Sequence, residues 1–231
     1  MKLFNDYLDP SISLQERINK AFDDLKFSEE RRLGVNTFLE PLKLKDVLTY
    51  EHSLRVGLLT KNIGKFMHLD AKALFYAGLL HDIGKALTDP KTLKKTDVYS
   101  PADYKEIQHH VKHGYQLLRG YFDFTAEVVW WHHRFQPNKY PKNLPIGLHQ
   151  YSEGTKVVIP MYGRILSLAD CYDALHRVNN KFKEQVTLRG EWIKEKMLTF
   201  NPDQKVLISE LYEAEIFTTN IVMENVLILF F

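Results

Sequence analysis

The sequence predicts an all-α fold, and three observations carry that expectation. Apolar residues recur at three- and four-residue intervals over several long segments, strand-like alternation is almost absent, and Asp70, Ser100 and Asn201 each stand at the head of a periodic run. A chain of 231 residues that is 45% hydrophobic and 26% charged can bury a full core, so the expectation is one main domain with a modest extension. The division expected is an N-terminal helical extension over 1–45, a helical domain over 46–214 and an apolar tail over 215–231. No repeat or low-complexity tract interrupts it.

Taken in order, Ser11 to Leu33 reads as one amphipathic helix with an imperfect stripe of Ile12, Ile18, Phe22 and Leu25, and Gly34 reads as its stop signal. Asp46 to Met67 predicts a longer helix that sets His52, Val56, Leu59 and Ile63 on one face. Asp70 opens AKALFYAGLLHD, apolar nearly all round and therefore buried, which ends near Gly84 with His81 and Asp82 at its C-terminal end. Lys85 to Val98 reads as loop. Ser100, Pro101 and Asp103 then make a capping-box pattern for a helix through Leu118. Ala126 to His133 predicts another helix, while four prolines between Gln136 and Pro160 predict a long loop of the kind that is often functional. Helical periodicity returns from Met161 to Val178, and Asn201 with Pro202 caps a last helix through Glu213. The closing NVLILFF is too short to span a bilayer and suits packing on the core or on a partner.

Charge and cysteine content narrow the function classes. Lys and Arg number 31 against 29 Asp and Glu, so no strong basic field exists to grip DNA. Cys171 is the only cysteine, which rules out an intrachain disulfide and suits a reducing compartment. The start, MKLFNDYLDP, lacks the apolar run of a signal peptide, and nothing approaches the roughly 20 apolar residues of a membrane span. A soluble, cytoplasmic protein is the expectation.

Imidazoles and carboxylates stand on five separate segments: His52; His81 with Asp82; His109, His110 and His113; His132 with His133; and Asp170. Such groups suit iron, manganese, zinc or nickel, and facing helices can aim them at a common point. Each part alone has a second reading. His52 fits a hydrogen-bonded core histidine as well as a ligand, His132 and His133 fit a helix end, and Asp170 fits a polar group bonded inside its helix. The HDIGK stretch weighs toward metal, because a buried apolar helix that ends in adjacent His and Asp must satisfy both groups.

The order of motifs resembles the HD superfamily of metal-dependent phosphohydrolases, and within it the HD-GYP branch of cyclic di-GMP phosphodiesterases. The likeness runs from Thr49 to Leu175 through HSLRV at His52, HDIGK at His81, HVKHGYQLL at His110, the pair His132 and His133, and IPMYGRILSLADCYDAL with Arg164, Asp170 and Asp173. The resemblance implies a compact helical bundle with a metal site between its helices. It also implies that His52, His81, Asp82 and Asp170 hold one divalent ion, and that Asp82 bridges to a second held by His110, His132 and His133. Asp82 and Lys85 would be catalytic, with Lys85 close to the substrate phosphate and Arg55 and Arg164 as further phosphate contacts, although a loop lysine is otherwise simply solvated. A hydroxide held by the two ions would attack phosphorus.

Two departures qualify the likeness. The branch has His-His-Glu and a Gly-rich stretch before Gly-Tyr-Pro, whereas this chain reads HHRFQPNKYP, with Arg134 for the Glu and no glycine before Tyr140 and Pro141. A glutamate that supports a third metal in some members is here Leu48, which points to two ions. The expected substrate is a cyclic dinucleotide or another nucleotide phosphate ester; oxygenase chemistry at a di-iron pair and a signalling module without turnover are the other readings. A homodimer or a sensory partner is expected to use the N-terminal helix or the apolar tail.

Overall fold

The computed structural model describes residue 7 and residues 11–136, 138–143, 151–176 and 190–219. Ten α-helices and no strand occur among the described residues, so the all-α expectation holds. None of these helices is long and apolar enough to cross a membrane.

The expected first helix is two. Helix α1, Leu14–Asp24, starts on a capping box between Ser13 and Glu16, and the chain turns at Lys26, whose φ is 53°. Helix α2, Glu29–Lys45, begins anew where the Ser28 hydroxyl accepts the Arg31 N–H. Gly34 lies inside α2 and stops nothing, because Val35, Leu39 and Leu42 continue a buried stripe beyond it. These residues join Ile18 and Phe22 of α1 in the same core cluster as the rest of the chain.

Helix α3, Val47–Phe66, is capped by the Asp46 carboxylate and is central: His52, Val56, Leu59 and Ile63 are all buried, as their spacing predicts. Helix α4, Ala71–Leu80, is capped by Asp70 and lies against α3 at two glycines. A Cβ on Gly78 would sit 2.6 Å from the Gly57 Cα, so only two bare backbones permit this approach. That approach brings the His52 and His81 rings to 5.1 Å between centroids. After Asp82 the chain tightens into a 3-10 turn, Ile83–Leu87, in which Gly84 abuts the backbone of His110 and Gly114.

A short helix α5, Pro90–Leu93, capped by Asp89, interrupts the stretch expected to be loop. Helix α6, Pro101–Leu118, carries the predicted capping box of Ser100 and Asp103. Helix α7, Asp123–Trp131, starts three residues before the predicted Ala126 and ends with His132 as its cap. Helix α8, Glu153–Leu175, starts well ahead of the predicted Met161 and encloses Pro160. Ser152 caps it, and the prolyl ring falls in its early, exposed turns, where water can take the carbonyl that loses its N–H partner. Helix α9, Gly190–Phe200, was not predicted. Helix α10, Lys205–Glu213, follows a 3-10 turn, Pro202–Gln204. Asn201 does not cap it, since its side chain bonds Arg164 and the Met197 carbonyl. Of the expected tail, Ile216 and Phe217 are buried, with Phe217 stacked on Tyr172, and NVLILFF lies outside the described residues.

Two glycine substitutions separate these packing constraints. Gly84→Ala should lower stability in urea unfolding by about 1–3 kcal/mol, because its methyl meets backbone that cannot give. Gly34→Ala, with only an ordinary contact to Phe122 at 3.7 Å, should raise stability by about 0.5–1 kcal/mol, because Gly34 lies inside α2.

Candidate metal centre

Three of the inward-facing imidazoles are fixed by their own backbone. The Nδ1 atoms of His81, His110 and His132 lie 2.9, 2.6 and 2.5 Å from the carbonyl oxygens of Gly78, Ile107 and Val129. A carbonyl only accepts, so each Nδ1 carries a proton, and a ring that is neutral turns a bare Nε2 inward. His52 reaches the same state through its Nδ1, 2.7 Å from the Asp173 carboxylate.

These bare nitrogens meet acceptors. His110 Nε2 lies 3.4 Å from His132 Nε2 and 3.4 Å from Asp82 Oδ1, and no proton is available between either pair when the rings are neutral. Burial holds His110 down at about 3 and His132 at about 4, and drives His133 well below the ordinary imidazole range. Near pH 7 all three rings are therefore neutral. His52 Nε2 likewise faces Asp170 Oδ1 at 3.1 Å and Asp82 Oδ2 at 3.7 Å. His81 Nε2, Asp82 Oδ1 and His133 Nδ1 are buried with no hydrogen-bond partner. A cation resolves all of these conflicts at once, whereas leaving them costs desolvation without return.

The donors fall into two groups that could hold a metal ion: His52, His81 and Asp170, and His110, His132 and His133, each with ligand atoms within 4.8 Å of one another. Asp82 stands between them, its Oδ2 toward His81 at 3.4 Å and its Oδ1 toward His110. Burial alone would raise the Asp82 pKa, but His81 and Lys85 outweigh it and hold the carboxyl well below its usual range. For His81 burial alone would lower the pKa, and Asp82 with Asp170 outweighs it, so the ring is raised. All seven ligands expected from the sequence thus converge, drawn from α3, the end of α4, α6, the end of α7 and α8. His109 and His113 pair with each other on α6 at 6.0 Å, and neither belongs to either group.

The three expected phosphate contacts sit differently. Lys85 Nζ donates to Asp82 Oδ2, at the edge of the donor set. Arg55 forks onto both oxygens of Asp173 at 2.7 and 3.1 Å. Arg164 forks onto Asp203 at 3.0 and 2.7 Å, bonds Asn201 and lies 5.1 Å over the Phe135 ring. Both guanidiniums are therefore bound to internal acids. Leu48 points into solvent, 67% exposed, and offers no ligand.

Two features were not read from the sequence. Asp173 orients His52, and its place three residues after Asp170 on a helix was the available signal. Tyr140 stacks on His133 at 4.6 Å, held by Arg134, whose Nη1 donates to the carbonyls of Pro141, Lys142 and Asn143 at 2.6, 3.0 and 3.4 Å. The arginine that stands in the glutamate position thus ties down the chain just after Tyr140.

Known proteins place this arrangement. The chain is 29% identical over 159 residues to the 3'3'-cGAMP-specific phosphodiesterase 1 of Vibrio cholerae, which covers 63% of this chain and 35% of that protein. It is 27% identical over 139 residues to the cyclic di-GMP phosphodiesterase of Thermotoga maritima, covering 57% of this chain and 35% of that protein. It therefore spans about a third of the length of these curated relatives. Among solved structures, the HD domain of the L. monocytogenes phosphodiesterase PgpH in complex with cyclic-di-AMP has a TM-score of 0.54 at 18% identity, over 78% of this chain and 91% of that one, a likeness of fold. The HD domain family pattern matches residues 49–175, more than half of the chain and the stretch that supplies every one of these donors, so the chain belongs to the HD domain family.

Proposed function

We propose that the chain is a metal-dependent phosphodiesterase that hydrolyses a cyclic dinucleotide, cyclic di-GMP in the first place. The observation that carries this reading is the single carboxylate of Asp82 shared between two buried donor groups whose bare nitrogens face one another. His52, His81 and Asp170 with Asp82 would hold one divalent ion, and His110, His132 and His133 with Asp82 a second. Iron or manganese suits this mixture of imidazole and carboxylate, as zinc or nickel would. Bound there, such a pair supplies a water nucleophile active near neutral pH and positive charge against the phosphorus transition state.

The chain's own residues do the rest. Asp82 orients both groups, and Asp173 fixes the tautomer of His52. Lys85 sets an ammonium beside the donor set, where it can leave Asp82 for a phosphoryl oxygen and offset its charge. With Arg55 and Arg164 bonded to internal acids, Lys85 takes the phosphate role. Support for the substrate comes from relatives named for cGAMP and cyclic di-GMP, and from a structural neighbour that holds cyclic-di-AMP. The lone cysteine fits work in the cytoplasm.

A second reading rests on Tyr140 over His133. A ring held there by Arg134 narrows the approach to the His110 group, which suits a smaller phosphate ester or a nucleotide-binding module without turnover.

Three measurements test the proposal. Elemental analysis of protein reconstituted with Mn²⁺ or Fe²⁺ should find two ions per chain, and the loaded protein should linearise cyclic di-GMP, followed by chromatography. Asp82→Ala or His81→Ala should abolish turnover while the helical circular dichroism signal persists, and Lys85→Ala should lower kcat about 10²-fold. Metal uptake with nucleotide binding and no cleavage sinks the enzyme reading. Asp173→Asn should weaken metal affinity about 10–100-fold, read by competition with a chelating dye.

A further inference from the structure

We propose that Tyr7, from the segment ahead of α1 and outside the HD-matched residues, is a positioning residue for the metal ligand His52, acting through Asp173. This rests on the reading of His52 as a ligand. Tyr7 is buried, 6% exposed, and its hydroxyl donates to Asp173 Oδ1 at 3.0 Å across 166 residues of sequence. The other oxygen of Asp173 accepts the His52 Nδ1 proton at 2.7 Å, and His52 Nε2 then faces Asp170.

Among the described residues, four hydrogen bonds converge on Asp173: Tyr7 and Arg55 Nε on Oδ1, His52 and Arg55 Nη2 on Oδ2. A carboxylate has about four acceptor sites, so this set fixes the plane of the group. Arg55 alone fixes the carboxylate against one edge; Tyr7 closes the far side of Oδ1. Loss of the phenol hydroxyl frees the carboxylate to tilt, and His52 tilts with it, because its only proton is bonded there. Tyr7 is itself held from two directions. Arg17 of α1 donates to its carbonyl at 2.8 Å, and its ring packs against Tyr172, the neighbour of Asp173, at 6.0 Å. Burial and the Asp173 carboxylate both push the Tyr7 hydroxyl well above its ordinary pKa, so it stays a donor throughout the working range.

The test is a Mn²⁺ titration of the full chain, with free Mn²⁺ read by electron paramagnetic resonance. Tyr7→Phe keeps the ring against Tyr172 and removes only the hydroxyl. In a His133→Ala background, which cripples the His110 group, it should weaken the remaining ion about three- to tenfold, less than loss of a ligand's direct partner. In the otherwise unaltered chain the ion of the His110 group should keep its affinity within about twofold, since none of its donors touches Asp173. With cyclic di-GMP, kcat should fall while KM holds. In an Asp173→Asn background Tyr7→Phe should have no further effect, as expected when two groups act in series. Unchanged affinity in Tyr7→Phe overturns the proposal. So does a loss shared equally by both ions together with a lowered melting temperature, which would make Tyr7 a packing residue. A wild-type chain that takes up no Mn²⁺ removes the metal reading and this inference with it, whereas wild-type uptake matched by Tyr7→Phe removes this inference alone.

Discussion

A carboxylate buried between two sets of unprotonated imidazole nitrogens sets the terms for this chain. The rings of the His110 group cannot satisfy Asp82, because burial keeps them neutral and the backbone holds the Nδ1 protons of His110 and His132. Among the described residues only Lys85 donates a hydrogen bond to Asp82, with one oxygen left over. A local helix feature contributes to the conflict: in His81, His110 and His132 the ring bonds the carbonyl three residues back, His81 and His132 from just past the ends of α4 and α7 and His110 from within α6. Helix termini thus serve here as devices for fixing a tautomer. The helices themselves are then free to be apolar, as α4 and α7 are, and to pack as a core.

The clustered histidines and aspartates were legible in the sequence because each travels inside a short motif with its own spacing, and the likeness to a known order of motifs joined them. Where a local rule governs, the reading was close: Asp70 and Ser100 cap the helices they were expected to open. It failed where the surroundings, a buried stripe in one case and solvent in the other, override a local stop or break. Gly34 is carried through by the stripe of Val35, Leu39 and Leu42, and Pro160 is tolerated in exposed early turns. The ends of Arg55 and Arg164 were not legible, since the acids that bind them lie 118 and 39 residues away. Tyr7 gave no local signal at all.

The segment after His133 shows how one substitution can redirect a loop. Glycines would leave that backbone adaptable; here Arg134 reaches three successive carbonyls, and Trp130 Nε1 donates to the last of them at 2.9 Å. The cost of ordering this stretch is offset by bonds to main chain, which any side chains at 141–143 would supply equally. Arg134 also lies 4.9 Å over the Trp131 ring, so its own position is set by the helix that carries the histidine pair.

The bare contact between Gly57 and Gly78 has a consequence for the order in which the protein assembles. It joins two helices that are neighbours in sequence, so α3 and α4 can close on each other early, with little loop entropy to overcome. That hairpin already carries His52 and His81, with Asp82 just beyond it. Asp170 lies 118 residues after His52 and arrives only when α8 docks. An ion that needed all four donors would therefore bind the finished fold and not the nascent hairpin, and its binding energy would fall on a long-range step of folding.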